Sequence, residues 1–314
     1  MRCSSSLARV LTMPKRTVLG LALVLCLGLA PPPMALAEAP PEPEAAASAP
    51  ALWVVRDADS TLYLFGTLHF LRSDTRWRDA RIDAALESAS ELVLEIADVN
   101  DTSAVMPLIQ AHGLSPERPL SSLLTAGELT SLDTAARSMG QSAAQMDPMR
   151  PWLATVILSS APTIRAGFAP GSGVDLALRA TALAGGKTVS GLETPDTQIR
   201  MLSGFPEEGQ LIGLRRALEA FEAAPVELEA LVDAWSRGDI DAINASTVAP
   251  MRARSERLYQ ALLVERNQAW TDQIAARLAG AGTTFIAVGV LHLAGEDSVQ
   301  RQLEARGIPV ERLR

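Results

Sequence analysis

The sequence predicts an α/β protein: a mixed β-sheet core with flanking helices and a large helical insertion. Three observations carry this. Short β-rich runs cluster at the two ends of the region after residue 50, with one more between them. The stretch from about 103 to 279 is dominated by helical periodicity and helix-forming residues. Asp147-Pro148, Arg150-Pro151 and Thr194-Pro195 punctuate that stretch as helix boundaries do. Strands at both ends with helices between them form one layered core.

Taken in order, Leu52-Trp53-Val54-Val55 and Thr61-Leu62-Tyr63-Leu64-Phe65 predict a β-hairpin across the turn Asp57-Ala58-Asp59-Ser60. A helix is expected over 77–88, a third strand over 91–96 and a fourth over 187–190. The apolar run 283–288 predicts a fifth strand, and 308–310 a last, edge strand. Within the helical stretch, 173–183, 207–222 and 226–235 are the clearest helices. The folding unit is expected to span 51–314, a length that suits one large domain with the insertion at about 103–279.

The first 50 residues have a different character. Arg2, Arg9, Lys15 and Arg16 are their only charges before Glu38, and 18–30 is an uncharged apolar run. Ala35-Leu36-Ala37 follows with small residues at the positions a signal peptidase reads. This order predicts a secretory signal over 1–37, cleaved after Ala37, and a periplasmic or secreted protein. The run is shorter than the ~20 residues of a transmembrane helix, and no later stretch is apolar enough to span a bilayer. Met13 is an alternative start. Residues 38–50 carry four prolines among Ala and Glu and predict an extended linker.

Both cysteines, Cys3 and Cys26, fall inside that signal. The mature chain would have no disulfide, no thiol nucleophile and no thiolate ligand. Losing four bases and no acids moves the formal charge from −8 to −12. A dispersed acidic surface argues against nucleic acid as a partner.

Two of the three histidines lie in one frame. Phe65-Gly66-Thr67-Leu68-His69-Phe70 and Val288-Gly289-Val290-Leu291-His292-Leu293 are each a strand, then Gly-x-Leu-His, then an apolar residue. A glycine at a strand end permits a sharp turn or a close approach to its backbone. Three residues on, a ring is presented where open α/β sheets bind ligands. On neighbouring strands, His69 and His292 would share a cleft. Paired imidazoles suit a transition metal, or a base with an orienting group. His112, in Gln110-Ala111-His112-Gly113, has no such frame and suggests a helix end.

Glu95 interrupts the apolar strand Leu92-Val93-Leu94-Glu95-Ile96. It is either buried with a partner, as a carboxylate in an apolar setting requires, or it faces water on an alternating strand. Arg266-Asn267 lies on an expected helix. It would hold a carboxylate or a developing oxyanion, or else form a polar patch toward water. Asp175 and Glu296 suggest acids at helix starts.

These residues resemble the TraB/PrgY/GumN family, which includes the animal Tiki proteases. The two Gly-x-x-His signatures carry the resemblance. Arg150-Pro151-Trp152, Gly173-Val174-Asp175, Gly191-Leu192-Glu193-Thr194 with Gln198, Ala234-Trp235 with Gly238-Asp239, and Arg266-Asn267 with Trp270 extend it toward the GumN-like branch. The resemblance implies a fold related to the erythromycin-esterase and ChaN-like proteins. It implies one cleft built from His69, His292, Glu95, Arg266 and Asn267. Tiki members are described as metal-dependent proteases. The function implied is therefore a peptidase-like hydrolase with a divalent metal (manganese, cobalt or zinc) on His69, His292 and Glu95, acting on a peptide or small molecule. The absence of H-E-x-x-H, G-x-S-x-G and any mature thiol leaves few other routes to hydrolysis. The same resemblance implies two alternatives: a non-catalytic peptide- or haem-binding protein of the envelope, or an accessory factor in envelope polysaccharide production.

Overall fold

An unbroken apolar run begins the sheet, with Leu52, Trp53, Val54 and Val55 all buried. The computed structural model describes residues 49–98 and 101–314, so the expected export signal and nearly all of the linker lie outside the described residues. Strand β1 (Leu52–Arg56) pairs antiparallel with β2 (Ser60–Thr67), Leu52 opposite Phe65 and Arg56 opposite Thr61. The Asp57 side chain accepts from the amides of Asp59 and Ser60 and closes the turn. A helix, Ala80–Ser88, follows, capped by Asp79, whose carboxylate accepts from the amides of Arg81 and Ile82. Strand β3 (Glu91–Ile96), β4 (Thr188–Glu193) and β5 (Gly282–Gly289) come next, and β6 (Glu311–Leu313) is last.

The six strands form one mixed sheet in the order β4-β3-β5-β2-β1-β6. Its centre is parallel: β5 lies between β2 and β3 and runs with both. Its hairpin side is antiparallel, with β6 on the outer edge of β1. The expected edge strand at 308–310 is displaced to 311–313. Pro309 has no amide hydrogen to give to a ladder.

Both faces of the sheet are covered. Leu62, Leu64, Val93, Ile286 and Val288 pack on one face with Trp270, Ile274 and Leu278 of the helix Glu265–Leu278, and with Val299 and Leu303. On the other, Phe65 meets Trp235 and Trp77 with ring centroids 6.4 and 6.0 Å away. The Trp235 indole N–H donates to Gly66 O at 2.8 Å, which fixes the end of β2.

The described chain divides into two compact units. One comprises 49–97, 172–192 and 226–314 and holds the sheet; the other comprises 98, 101–171 and 193–225 and is helical. In the helical unit, Pro151–Arg165 packs along Glu207–Glu219, and Thr102–His112 along Pro195–Gly204. His112 ends its helix there. Its carbonyl accepts from Trp152 Nε1 at 2.9 Å. No described helix is long and apolar enough to cross a membrane.

Candidate functional site

The site lies at the carboxyl ends of β2, β3 and β5, within the sheet-bearing unit. Thr67 and Gly289 are register partners on adjacent parallel strands, so the two Gly-x-Leu-His segments leave the sheet side by side. They do so one residue out of step: Gly66 pairs with Val288, not with Gly289. The two glycines accordingly have different tasks. A Cβ on Gly66 would lie 2.9 Å from the Val290 side chain; one on Gly289 would lie 3.0 Å from Glu95 Oε1. Neither glycine has positive φ. Both are needed for close approach, the first by the neighbouring turn and the second by the carboxylate.

His69 is partly buried and tied down at one nitrogen. Its Nδ1 is 2.7 Å from Asp175 Oδ2, and the other Asp175 oxygen accepts from Thr67 Oγ1 at 2.6 Å. Asp175 sits in the first turn of the helix Val174–Ala184. That helix is docked by the Val174 amide, which donates to Leu68 O at 2.9 Å. Burial pushes the His69 pKa down. The charge and hydrogen bond of Asp175, with Glu95 further off, outweigh burial and hold it up at about 9; Arg266 opposes them. His69 is therefore an imidazolium at neutral pH. Among the described residues its Nε2 has no hydrogen-bond partner.

His292 is buried and has the opposite character. Its Nδ1 lies 2.6 Å from Asn267 Oδ1. The Asn267 amide nitrogen donates to Asp297 O at 2.8 Å, so the amide oxygen faces the ring and takes the Nδ1 proton. That leaves Nε2 as an acceptor, 3.0 Å from Arg266 Nη1. Burial and the adjacent guanidinium hold the His292 pKa down at about 3, against Glu95. The ring packs on Trp270 with centroids 4.3 Å apart.

Glu95 and Arg266 pair beside His292 and act on His69 through charge. Glu95 is buried, with Oε2 2.8 Å from Arg266 Nη2 and Oε1 accepting the Gly289 amide at 2.7 Å. Burial alone would raise its pKa; Arg266, the two imidazoles and the Gly289 amide bring it down to about 2. The Arg266 guanidinium also donates to Leu262 O at 3.2 Å and lies 4.6 Å from the Trp270 ring centroid. Leu262 belongs to a widened π-helical turn, Gln260–Val264, immediately before the helix that carries Arg266.

All five residues singled out from sequence, His69, His292, Glu95, Arg266 and Asn267, thus meet in one unit. Of the two readings of Arg266-Asn267, the water-facing patch is overturned. Asn267, Trp270, Thr271, Ile274 and Leu278 share the buried face of their helix, and Arg266 lies at its edge. Glu95 likewise points inward. Asn267 is itself buried and its amide is taken up by His292 Nδ1, His292 O and Asp297 O, so it orients His292. Sequence reasoning gave Asp175 only a helix-start role, gave Thr67 none, and quoted Trp270 only as part of the resemblance. The signals were present as Gly-Val-Asp and as Trp270 four residues after Arg266. Glu296 does not begin the last helix, which starts at Val299 behind Ser298; Glu296 pairs with Arg252.

The expected metal donors, tested on this geometry, do not fit an ion as they are arranged. The single lone pair of His292 Nε2 and one oxygen of Glu95 already accept from Arg266. No group of three or more His, Asp or Glu side chains among the described residues is set to ligate.

The fold and the cluster define a mixed-sheet α/β protein with two strand-end histidines of opposite protonation around a carboxylate–guanidinium pair. A match to the TraB/PrgY/gumN family spans residues 51–312, and the chain belongs to that family. It is 26% identical over 254 residues to the protein YbaP of Escherichia coli K12, described as uncharacterized, covering 81% of this chain and 92% of that one. YbaP of Shigella flexneri gives the same identity and coverage. No solved structure matches the chain.

Proposed function

We propose that the chain is a hydrolase of carbonyl substrates, peptidase-like, working in the periplasm or outside the cell. The export signal read in residues 1–37 supports the location. The observation that carries the reaction is the His69–Asp175 pair. It anchors one ring nitrogen and leaves a protonated Nε2 that has no hydrogen-bond partner among the described residues, within electrostatic reach of Glu95 and Arg266. A group so placed is suited to general acid catalysis.

In this reading Nε2–H of His69 polarises the substrate carbonyl and then protonates the departing nitrogen. Glu95, ionised, orients the attacking water. Arg266 stabilises the negative charge that develops on oxygen. Water adds to the carbonyl carbon as Glu95 takes one of its protons, the C–N bond breaks as His69 gives its Nε2 proton to the nitrogen, and the proton on Glu95 returns to His69 as an acid and an amine leave. His292 and Asn267 act through Arg266 and are positioning residues. No step passes through a metal ion.

The test is incubation of the mature protein with a defined peptide mixture, with products read by mass spectrometry. Wild type should cleave, and His69→Ala should lose about 100-fold or more. A second reading, a non-catalytic binder of peptide or haem, draws support from the mutual hydrogen bonds of Glu95, Arg266 and His292. Retention of intact peptide by wild type without cleavage, or a Soret band on hemin titration, would favour it and sink the hydrolase.

A further inference from the structure

Arg266 is held more firmly than a substrate-binding arginine needs to be. One nitrogen donates to Leu262 O and to His292 Nε2, the other to Glu95 Oε2, and its plane sits by the Trp270 ring. Its side chain is 13% exposed. His292 is at the same time prepared as a donor. Asn267 takes the Nδ1 proton, which is the outer hydrogen bond that metal-ligating histidines make. His292 Nε2 and Glu95 Oε1 are 3.9 Å apart. Two ligands at about 2.1 Å from one ion can span that gap.

From this we infer that Arg266 is the resident cation of the site and competes directly with any divalent metal for His292 Nε2 and Glu95. A neutral imidazole nitrogen has one lone pair in the ring plane. It accepts an N–H from guanidinium or it ligates an ion, never both. The guanidinium also supplies the positive charge that lets Glu95 stay ionised while buried. An arriving ion would have to displace a group held by Leu262, His292, Glu95 and Trp270 together. The site is thus built with metal-grade donors and runs with its own arginine in the metal's place. This inference is independent of whether the site hydrolyses anything, because its readout is ion binding.

Isothermal titration of the full mature protein with Mn²⁺, Co²⁺ and Zn²⁺ tests it. Wild type should show no stoichiometric site. Arg266→Gln and Arg266→Met, which keep bulk against Trp270, should gain a one-to-one site at least tenfold tighter than any heat seen in wild type. That site should vanish in Arg266→Gln combined with His292→Ala. A matching thermal readout guards against misfolding. Added ion should raise the melting temperature of the Arg266 variants and leave wild type unchanged. Stoichiometric binding to wild type that is lost in His292→Ala, or no gain of binding in folded Arg266 variants, overturns the inference.

Discussion

The two Gly-x-Leu-His turns are nearly the same sequence and become opposite chemical groups. His69 is a partly exposed imidazolium gripped by Asp175. His292 is a buried neutral ring whose free lone pair accepts from Arg266. The turn itself delivers only a ring to the sheet's carboxyl edge. The partner that meets the ring, an acid from the helix Val174–Ala184 or an amide and a guanidinium from the helix Glu265–Leu278, sets its proton. A repeated motif therefore says where two groups go and leaves open what each does.

Breaking the link between the two turns should have the largest effect. Arg266→Ala removes the partner of a buried carboxylate, and we expect a loss of about 3–5 kcal/mol by urea unfolding. Glu95→Gln in the same background should recover a good part of it, since the uncompensated charge is gone. No recovery would mean that Arg266 matters through packing on Trp270.

Separating the turns is the next step. Asp175→Asn keeps the shape around His69 and removes its counter-charge, at a cost of roughly 2 kcal/mol. His292 should be untouched. If the nuclear magnetic resonance signals of the His292 ring shift as far as those of His69, the two halves are coupled more tightly than their hydrogen bonds imply.

The two histidines also differ in how their contribution to stability depends on pH. The His69 pKa is raised on folding, so its contribution is complete below about 6.5 and is lost as pH rises toward about 9. The Glu95 and His292 pKa values are depressed. Glu95 contributes fully above about 4.5 and loses that as pH falls toward about 2; His292 loses stability as pH falls from about 6.5 toward 3. Urea midpoints should accordingly fall on both sides of a maximum near pH 6.5. The alkaline limb, on the order of 3 kcal/mol, should disappear in Asp175→Asn while the acid limb remains.

The smallest effect is expected at the histidine outside the frame. His112→Ala should change stability by no more than about 0.5 kcal/mol and leave any cleavage intact. Its carbonyl, not its ring, is what the helical unit uses.

What could be read in the sequence follows from how local each signal is. The strands β1 to β5 showed because alternation and apolar runs are local, and the matched histidines showed because their frame repeats. Helix phase would have turned Asn267 inward, since Trp270, Ile274 and Leu278 share its face. Adjacency to Arg266 made the pair look like a surface patch. Asp175 was legible as a helix-start acid, which it is. Its bond to His69 was not, because 106 residues separate them and only the docking of Val174 on Leu68 brings them together. The last helix begins at Val299, three residues later than Glu296 suggests. Gly295 turns the chain at φ +87° and Glu296 is drawn to Arg252.

One motif, used twice, gives two protonation states. Histidine-labelled protein followed by nuclear magnetic resonance against pH measures this directly, with His69→Ala and His292→Ala assigning the rings. His69 should keep its proton through neutral pH and titrate near 9, and His292 should stay neutral, with its proton on Nδ1, down to about pH 3. Two rings titrating together near the ordinary value of about 6.5 would contradict it.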